Sequence, residues 1–592
     1  TPSSEIGNVL SGLAKEANIY FEFSTNEKVA MEVAATAAAS GLRSFTFMKH
    51  VGMNVASDSF MTTAYSGVNG GMVILSADDP SLFSSQNEQD TRNYGRLANV
   101  PILEPSNCQE VKDMVKYAFD LSEQFKLPVI VRTTTRVSHM RGVVEFGEVV
   151  DNSSEGESHW KKGFFKKNPA QFVPVPAFAK DMHVALVEKM DEINKITNES
   201  DFNVESYFSQ NKKYGVIASS SAYNYAYDVI RYNNLDIDVL KLGFSYPFPY
   251  DKVADFVKDY DEVFIVEEVD PIIEKDTLVA IGKNNLNTVV HGKLDGTFPV
   301  YHEFNSDIVA NGFNKYLNFI EENTDEYSDN LLNLQEEIPS RAPVLCAGCP
   351  HRAMYYGVNK ALEELGIPLK DAVFASDIGC YTLGINPPYN AADYLLSMGS
   401  SVGDGCGFSI ATNQKVISFI GDSTFFHSGI SPLINAVHNK NNFILTVLDN
   451  RITAMTGGQP NPGIPVDGMG DDAPEISIRK LALACGCNYV RVINPLNLDQ
   501  VVKTYKEALE RDEVCVIIAK APCTLIKGKT RKPPVNYIDS NCNGCNKCVS
   551  ELACPAISKD GGKIAIDQSM CDGCGVCIQV CKYGALEAGR GE

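Results

Sequence analysis

The chain has 592 residues, of which 44% are hydrophobic, and a formal net charge of −22. This length predicts three to five domains. The acidic balance argues against nucleic acid as a main partner, because binding to a phosphate backbone needs clustered Lys and Arg. No run of about 18 apolar residues predicts a membrane span, and the first residues lack the pattern of a secretory signal. We therefore expect a cytoplasmic protein with no nucleic-acid or membrane partner.

Apolar strands alternate with helical stretches along most of the chain, which predicts parallel α/β sheets. Examples are "SFTFMK" near the start and "KVISFIG" and "FILTVLDN" in the last third. We expect an α/β protein with three doubly wound α/β domains and a small Cys-rich C-terminal unit. The predicted boundaries are 1–150, a linker at 151–175, 176–340, 341–526, a linker at 527–536, and 537–592.

The C-terminal unit contains eight of the 17 cysteines, all within residues 542–581. Each half has three cysteines at two-residue gaps and a fourth further on, which is the ligand pattern of a two-cluster ferredoxin, where the fourth Cys binds the other cluster. The alternative is two structural zinc sites. The pattern departs from the usual one in a five-residue gap before Cys554 and in Lys582, where Pro is usual. The predicted [4Fe-4S] ligand sets are Cys542, Cys545, Cys548 and Cys581 for cluster 1, and Cys571, Cys574, Cys577 and Cys554 for cluster 2.

Two apolar strands end in oxygen-bearing side chains, at Asp422 and, 28 residues later, at Asn450. Strand ends of this kind can clamp a hard cation such as Mg²⁺ together with a phosphate ligand. The main-chain carbonyl of Ile452 is a candidate third ligand. By itself, Asp422 could also be an ordinary helix N-cap.

Gly421-Asp422-Ser423 and Asn450 at this spacing resemble the thiamine diphosphate signature. The segments "LDNRITAMTGGQ", "CAGCPHR", "SDIGCYTLG" and "GDSTFFHSGI", with the C-terminal cysteines, resemble the 2-oxoacid:ferredoxin oxidoreductases, and more narrowly the indolepyruvate ferredoxin oxidoreductase α-subunit family. The resemblance spans nearly the whole chain. It implies a pyrimidine-binding (Pyr-type) domain, a transketolase-C-like domain, a diphosphate-binding (PP-type) domain and a two-cluster ferredoxin domain, in that order. It also implies that the family's first strand and helix precede Thr1.

The resemblance assigns roles to individual residues. It implies that Glu27 is the catalytic carboxylate at the pyrimidine N1′ of the cofactor, with Glu32 as the rival, and His50 is the second catalytic candidate. Gly421 permits the turn at the Mg²⁺ site. The other implied cofactor contacts are Gly348, Cys349, His351, Asp377, Gly379, Cys380, Gly399, Ser423 and Thr456.

Candidates for holding the substrate carboxylate are Thr1, His50, Arg132 and Arg136. Pyruvate-specific relatives place an Arg where this chain has Asp78, which makes pyruvate a less expected substrate. Phe425, Phe426 and His427 either pack the crossover or line the cofactor pocket, and the sequence leaves both possibilities open.

The reaction that the resemblance implies converts an arylpyruvate, coenzyme A and oxidised ferredoxin into arylacetyl-CoA, CO2 and reduced ferredoxin. The implied cofactors are thiamine diphosphate, Mg²⁺ and two [4Fe-4S] clusters, with a smaller β subunit completing an α2β2 enzyme. The alternatives are the same chemistry on a branched-chain oxo acid, 2-oxoglutarate or phenylglyoxylate, or a subunit that only carries electrons.

Overall fold

The computed structural model describes residues 2–147, 162–320, 343–526, 528, 531–561 and 563–589. Thr1 and the first part of the predicted linker 151–175 therefore lie outside the described residues. The chain forms two compact units. Unit 1 consists of residues 1–20 and 26–332, and unit 2 consists of residues 21–25 and 333–592.

Unit 1 contains two five-stranded sheets, which account for the predicted α/β pattern. The first has the order β1-β2-β4-β3-β8 and is parallel except for β8, which pairs antiparallel with β3. The second has the order β10-β9-β6-β7-β5, with β5 antiparallel to β7. The strands are β1 Ser44–Lys49, β2 Met72–Asp78, β3 Ile102–Leu103, β4 Val129–Thr134, β5 Asn203–Ser206, β6 Tyr214–Ala218, β7 Ile237–Leu242, β8 Phe244–Tyr246, β9 Glu262–Val266 and β10 Val289–His291.

The helices of unit 1 cover these two sheets. The Ala-rich helix predicted to close at Gly41 spans Glu27–Ala39, and Gly41 has the left-handed φ of 83° that favours glycine. The helices are Ser4–Leu13, Glu27–Ala39, His50–Ser66, Arg92–Ala98, Cys108–Phe125, Thr135–His139, Pro169–Phe172, Pro176–Glu199, Ser220–Tyr232, Tyr250–Val257, Ile272–Lys283 and Ser306–Leu317, with a 3₁₀ turn at Pro80–Leu82.

The helix Pro176–Glu199 follows the predicted linker, yet it packs on the first sheet. Leu186, Met190 and Ile193 belong to the same core as the strands of that sheet. The core of the first sheet therefore extends past the predicted boundary at residue 176, and the domain boundaries remain predictions.

Unit 2 contains a five-stranded sheet in which every pairing is parallel, with the order β11-β12-β13-β15-β14. Its strands are almost continuously apolar because separate cores cover the two faces, as a doubly wound fold requires. The strands are β11 Ala372–Ala375, β12 Lys415–Gly421, β13 Ile444–Asp449, β14 Tyr489–Ile493 and β15 Cys515–Lys520. The helices beside them are Pro350–Glu364, Ser400–Ala411, Asp422–Thr424, Ile430–His438, Ile478–Ala484 and Leu498–Leu509, with 3₁₀ turns at Leu369–Asp371 and Cys380–Ile385 and a π-helix at Phe425–Gly429.

The Cys-rich end of unit 2 is a small domain with two antiparallel strand pairs, β16 with β19 and β17 with β18. Its apolar residues share a core with Ala353 and Leu498 of the larger domain. Its elements are β16 Asn536–Tyr537, β17 Ile557–Asp560, β18 Lys563–Ile566, β19 Leu586–Glu587, the helices Lys547–Ser550 and Val576–Val580, and a 3₁₀ turn at Asp539–Asn541. Nowhere in the described ranges is a helix both long and apolar enough to cross a membrane.

Candidate active site

The predicted Mg²⁺ residues of unit 2 meet at one edge of its sheet. Asp422 follows β12 and Asn450 follows β13, and these strands are direct neighbours in the sheet. The Asp422 carboxylate is 2% exposed and accepts hydrogen bonds from the backbone N–H groups of Ser423 (2.8 Å) and Arg451 (3.0 Å). Asn461, which the sequence pattern did not single out, donates its side-chain amide to the same carboxylate at 3.2 Å.

A second acid, Asp449, gives this edge an excess of negative charge. Its Oδ1 is buried without a hydrogen-bond partner, and its closest ion pair is Arg451 at 3.9 Å from Oδ2. Burial, together with the charge of Asp449, raises the pKa of Asp422 to about 7. Within the described ranges, no Lys or Arg forms an ion pair with Asp422. A hard cation with oxygen ligands fits this donor set.

Asp377 ties the next loop to the start of the helix Ser400–Ala411. Its fully buried carboxylate accepts from the N–H groups of Gly399 (2.7 Å), Ser401 (3.0 Å) and Ile378 (2.8 Å), and burial raises its pKa to about 6. The observed contacts of Asp377 are with backbone that it positions, and its predicted contact with the cofactor stays a prediction. The N–H group of Gly399, another predicted cofactor contact, is bonded to Asp377.

Two of the predicted cofactor glycines make room for an aromatic ring. A Cβ on Gly379 or Gly421 would lie 2.3 Å or 2.7 Å from the ring of Tyr381. The Tyr381 hydroxyl donates to the Ile378 carbonyl at 2.8 Å and lies 3.0 Å from the Thr424 hydroxyl. Tyr381 thus joins the two loops, a role that the sequence pattern did not reveal.

The residues after Asp422 form a π-helix, Phe425–Gly429, and such π-helical turns are frequent at functional sites. Phe425 and Phe426 belong to the core on one face of the sheet, which supports packing as their role. His427 is 7% exposed, and its Nδ1 bonds to the Ser428 hydroxyl. The Ser428 Cβ lies 2.4 Å from where a Cβ on Gly399 would be, so this turn contacts the start of the helix Ser400–Ala411.

The "CAGCPHR" loop contacts the Cys-rich domain. Gly348 has a φ of 71°, and a Cβ there would lie 2.7 Å from the Cβ of Asp572, beside the cluster 2 ligand Cys571. Gly348 therefore approaches Asp572 closely, and its contact with the cofactor stays a prediction. Burial lowers the pKa of His351 to about 4, so this imidazole is neutral near pH 7.

Arg352, in the same loop, fastens the Cys-rich domain to the larger one. It is 4% exposed and donates to the carbonyls of Leu552 (3.1 Å) and Ala553, just before Cys554. A buried guanidinium bonded to main-chain carbonyls makes this junction specific.

The predicted ligand sets of both clusters lie in the Cys-rich domain. Cluster 2's four cysteines line one cavity of about 30 Å³ with Gly348 and Cys349. Burial raises the pKa of Cys548, and its neighbours Cys581, Cys545 and Cys542 raise it further, so these four thiols lie within electrostatic reach of one another. Cys545 is exposed. In the described part of the chain, no three His, Cys, Asp or Glu side chains form a group placed to hold a metal ion. The ligand sets therefore rest on spacing and on this shared environment.

A further group of thiols connects the sheet edge to the cluster 2 cavity. The Cys523 N–H donates to the carbonyl of Asn450 at 2.9 Å. Burial raises the pKa of Cys380 to about 11, with contributions from Cys523 and Cys346, and burial raises that of Cys349 to about 12. A bound cation or cluster would reverse such shifts by stabilising thiolates. Cys523 was missed because it lies far along the chain from the other three.

In unit 1, Glu27 begins the helix Glu27–Ala39, after the N-cap Asn26. A Cβ on Gly52 would lie 2.7 Å from the Glu27 Cγ, so the helix starting at His50 packs closely on this side chain. The rival Glu32, which is partly buried as Glu27 is, accepts from Lys28 and, at 2.9 Å, from Ser59. The two glutamates therefore differ in their neighbours and not in their exposure.

His50 and Arg132 belong to a buried network of charges at the carboxyl edge of the first sheet. Arg132 is 1% exposed and pairs with Asp78 and Glu104, each at 2.6 Å. These pairs match the charge of Arg132 inside the protein, and its assignment to the substrate stays a prediction. His50 is fully buried; its Nε2 lies 3.0 Å from the Asn87 carbonyl, and its Nδ1 has no partner.

The other substrate candidates gain no structural support. Arg136 is exposed and pairs with Glu303, so it also lacks a free charge.

In the loop after Asn450, the Ile452 N–H donates to the Asn450 Oδ1 at 3.1 Å, and the Thr456 hydroxyl donates to Gln459 at 2.6 Å. These bonds shape the loop beside the Mg²⁺ candidates.

Family profiles match three parts of the chain. Residues 1–209 match the thiamine diphosphate-binding domain of pyruvate flavodoxin/ferredoxin oxidoreductases, residues 377–519 the C-terminal binding domain of thiamine pyrophosphate enzymes, and residues 534–582 a 4Fe-4S dicluster domain. The last match favours iron–sulfur over zinc for the cysteines.

Curated relatives match the full length of the chain. Indolepyruvate oxidoreductase subunit IorA of Methanothermobacter marburgensis is 56% identical over 99% of this chain and 93% of its own length. The subunit of the same name from Pyrococcus horikoshii is 42% identical, over 100% and 93%. A solved 2-oxoglutarate:ferredoxin oxidoreductase from Magnetococcus marinus is 21% identical over 32% of this chain and 67% of its own, but its TM-score of 0.29 is too low to carry an argument.

Thiamine-binding domains at both ends of the α/β region, a dicluster domain and full-length identity of up to 56% agree with one another. The protein is a 2-oxoacid:ferredoxin oxidoreductase, and the chain belongs to the indolepyruvate oxidoreductase subunit IorA family.

Proposed function

We propose that the chain catalyses the oxidative decarboxylation of aryl 2-oxo acids of the indolepyruvate and phenylpyruvate type. The oxo acid and coenzyme A give arylacetyl-CoA and CO2, and two electrons pass singly to ferredoxin. The substrate class rests on the name of the full-length relatives and on Asp78, which stands where pyruvate-specific relatives place an Arg. Asp78 is itself acidic, and the nearby cation Arg132 is paired with it. This position therefore offers no free positive charge to a substrate carboxylate.

The observation that carries this proposal is the run of thiols from Asn450 to the cluster 2 cavity. The Cys523 backbone bonds to Asn450, Cys523 and Cys346 lie within electrostatic reach of Cys380, and Cys349 lines the cavity. A subunit that only carried electrons would have no need of a cation site at the start of this run. The excess charge of Asp422 and Asp449 therefore favours catalysis over an electron-carrying scaffold.

Specific residues would hold the cofactors. Asp422, Asn450 and the carbonyl of Ile452 would bind Mg²⁺ and, through it, thiamine diphosphate, which supplies a reactive carbon and an electron sink for decarboxylation. The two cysteine sets would hold [4Fe-4S] clusters, which supply one-electron carriers. Asp377 and Tyr381 position the loops around this edge, and the neutral His351 neither adds nor neutralises charge there.

A smaller β subunit in an α2β2 enzyme, coenzyme A as co-substrate and a cytoplasmic location complete the proposal. The relatives are named as subunits, which supports a partner chain. The cysteines that match a dicluster domain support a reducing compartment.

The substrate class is tested with the αβ complex loaded with its cofactors. Indolepyruvate, phenylpyruvate, a branched-chain oxo acid, 2-oxoglutarate and phenylglyoxylate are compared by CoA-dependent reduction of ferredoxin. We expect the highest kcat/KM with the two arylpyruvates. If neither supports reduction while another oxo acid does, the aryl assignment is wrong and the reaction class stands.

The role of Glu27 is tested with a matched pair of variants. Glu27→Gln should lower kcat by about 100-fold or more, because it removes a proton-transferring carboxylate, with thiamine diphosphate affinity within a few-fold of wild type. Glu32→Gln lies one turn away on the same helix and should leave both values unchanged. The reverse pattern would make Glu32 the catalytic carboxylate.

A further inference from the structure

A cavity lies at the amino edge of the first sheet, which we call the amino-edge cavity. It precedes β2 and β4, whereas Glu27 and His50 lie toward the carboxyl edge of the same sheet. Its volume of about 330 Å³ is near the lower end of the range for small-molecule sites. It is lined by Ala64, Tyr65, Ser66, Asn69, Lys126, Leu127, Gln171, Met182, Ala185, Leu186 and Lys189.

The charge of this cavity is unusual for the chain. Its lining contains two lysines and no Asp or Glu, in a protein with 74 acidic and 52 basic residues. Over the described ranges, neither Lys126 nor Lys189 forms an ion pair. The nearby Glu123 is already paired with Arg43 at 2.8 Å. The positive charge of the cavity is therefore left without an anion from its own lining.

The two lysines are close enough to repel each other. Burial lowers the pKa of Lys189, and the charge of Lys126 lowers it further. Two ammonium groups converging on one concave space disfavour each other unless an anion lies between them. This geometry suits a ligand with one compact negative group.

The backbone fixes the position of Lys126. It follows the helix Cys108–Phe125 with a left-handed φ of 56°, and its Nζ donates to the Asn69 carbonyl at 2.9 Å. The Lys126 carbonyl accepts from Val68 at 3.1 Å and would lie 2.5 Å from a Cβ on Gly67, which makes glycine necessary there. A charge held in place before binding loses less entropy when a ligand arrives.

The remaining lining mixes apolar and amide groups. Leu127 is 1% exposed, and Met182 and Leu186 come from the helix Pro176–Glu199. Gln171 and Asn69 are near each other, with Nε2 and Oδ1 3.4 Å apart. Apolar walls with a few converging polar groups are typical of a site for a small organic ligand rather than for a bare inorganic ion.

We propose that the amino-edge cavity binds a small organic carboxylate. Lys126 and Lys189 hold its carboxylate group, and the more accessible lining residues Tyr65 and Ala185 contact its apolar body. The site is separate from the proposed catalytic residues of unit 1, because parallel strands place amino and carboxyl ends at opposite edges of a sheet. The inference does not depend on the proposed aryl substrate.

The test measures binding of phenylacetate to the αβ complex by isothermal titration calorimetry. Phenylacetate carries a carboxylate and an apolar ring but no 2-oxo group, so it cannot enter the reaction. Lys189→Gln should weaken binding by at least about tenfold. Lys180→Gln, an exposed change on the same helix, should leave binding unchanged. Inorganic phosphate at equal concentration should not displace phenylacetate.

Lys126→Gln provides a second variant, so that a folding defect in one does not end the test. Both lysine variants should retain wild-type turnover and thermal unfolding midpoints. Three results would each overturn the proposal: no binding of phenylacetate to the wild type, wild-type affinity for phenylacetate in both lysine variants, or displacement of phenylacetate by phosphate. Loss of turnover with indolepyruvate is a separate result and bears only on the proposed catalytic function.

Discussion

The first sheet of unit 1 and the parallel sheet of unit 2, called here the third sheet, both bury acids at the carboxyl ends of their strands. Among the described residues, only the first sheet places an arginine close to each of these acids. At the paired edge, defined here by Asp78, Asp90, Glu104, Arg92 and Arg132, each carboxylate meets an arginine within 3.6 Å. At the unpaired edge, defined by Asp422 and Asp449, the closest ion pair among the described residues is that of Arg451 with Asp449, at 3.9 Å, and Lys520 acts on Asp449 from further away. Buried charges need partners. The comparison teaches that the fold pairs the acids of the first edge closely, whereas the acids of the unit 2 edge fit the proposed cation.

The pKa values of Asp90 and Asp422 follow this difference, although burial raises the pKa of Asp78 at the paired edge as well. Although burial opposes it, Arg92 and Arg132 lower the pKa of the fully buried Asp90 below its ordinary value. Burial raises the pKa of Asp422 to about 7, and Asp449 adds to the effect. Equal burial thus has opposite results, because one acid has guanidinium neighbours and the other has a carboxylate.

The largest effect is expected from breaking the paired edge. Arg132→Met should lower the free energy of unfolding by about 3–5 kcal/mol, because it leaves Asp78 and Glu104 buried without a cation. Arg136→Met, the matched control, removes an exposed pair and should cost no more than about 1 kcal/mol. Chemical denaturation measures both. A higher KM with unchanged stability in Arg132→Met would instead restore Arg132 as a substrate residue.

The unpaired edge should respond in the opposite sense. Asp422→Asn should weaken Mg²⁺-dependent binding of thiamine diphosphate by about 100-fold, because it removes the charged ligand. The stability of the cofactor-free chain should not fall, since repulsion with Asp449 is removed. Equilibrium dialysis and thermal unfolding report the two quantities. Asp371→Asn, an exposed change at the start of the same sheet, should alter neither; a destabilised Asp422→Asn would show that the carboxylate serves only the fold.

The free energy of unfolding should depend on pH through Lys293, which lies near the paired edge. It is 4% exposed, and burial lowers its pKa to about 8 from 10.5. Between about pH 8 and pH 10 the unfolded chain therefore holds the proton that the folded chain has lost, so stability rises with pH. Relative to Lys293→Met, wild type should gain about 2 kcal/mol over this interval, measured by denaturation at both pH values. A flat difference would mean that Lys293 keeps its ordinary pKa.

Asp449→Asn should have the smallest effect. It relieves the repulsion with Asp422 while keeping the predicted Mg²⁺ ligands, so the cofactor-free chain should gain about 1 kcal/mol of stability. Thiamine diphosphate affinity should change by less than about tenfold. If affinity falls as far as in Asp422→Asn, Asp449 is itself a ligand.

Several features were predictable because they are local in sequence. The strand Lys415–Gly421 was read from a continuous apolar run, and the acid that ends it was placed at a sheet edge. The cysteine spacing predicts both ligand sets; the four cysteines of the cluster 2 set line one cavity, and both sets stay predictions. The short strands Ile102–Leu103 and Phe244–Tyr246 were missed, because two or three residues show no periodicity.

Other features depend on partners far apart along the chain. Arg132 looked available for a substrate, but Glu104 and Asp78 lie beside it only after strands β2, β3 and β4 assemble. The sequence does not reveal that Gly348 approaches Asp572, which lies more than 200 residues later in the chain. In each case the sequence shows the residue type, but it does not show which distant residue becomes its partner in the fold.

By itself, the sequence determined which residues can carry chemistry and the order of the elements that present them. Hydrophobic period, glycine turns and cysteine spacing act over a few residues and can be read directly. Only the tertiary structure decided which charges are closely matched by an opposite charge, as at Arg132, and which lie beside a like charge, as at Asp422. The physical reason is that electrostatic pairing depends on distances of a few ångströms between residues that lie far apart along the chain.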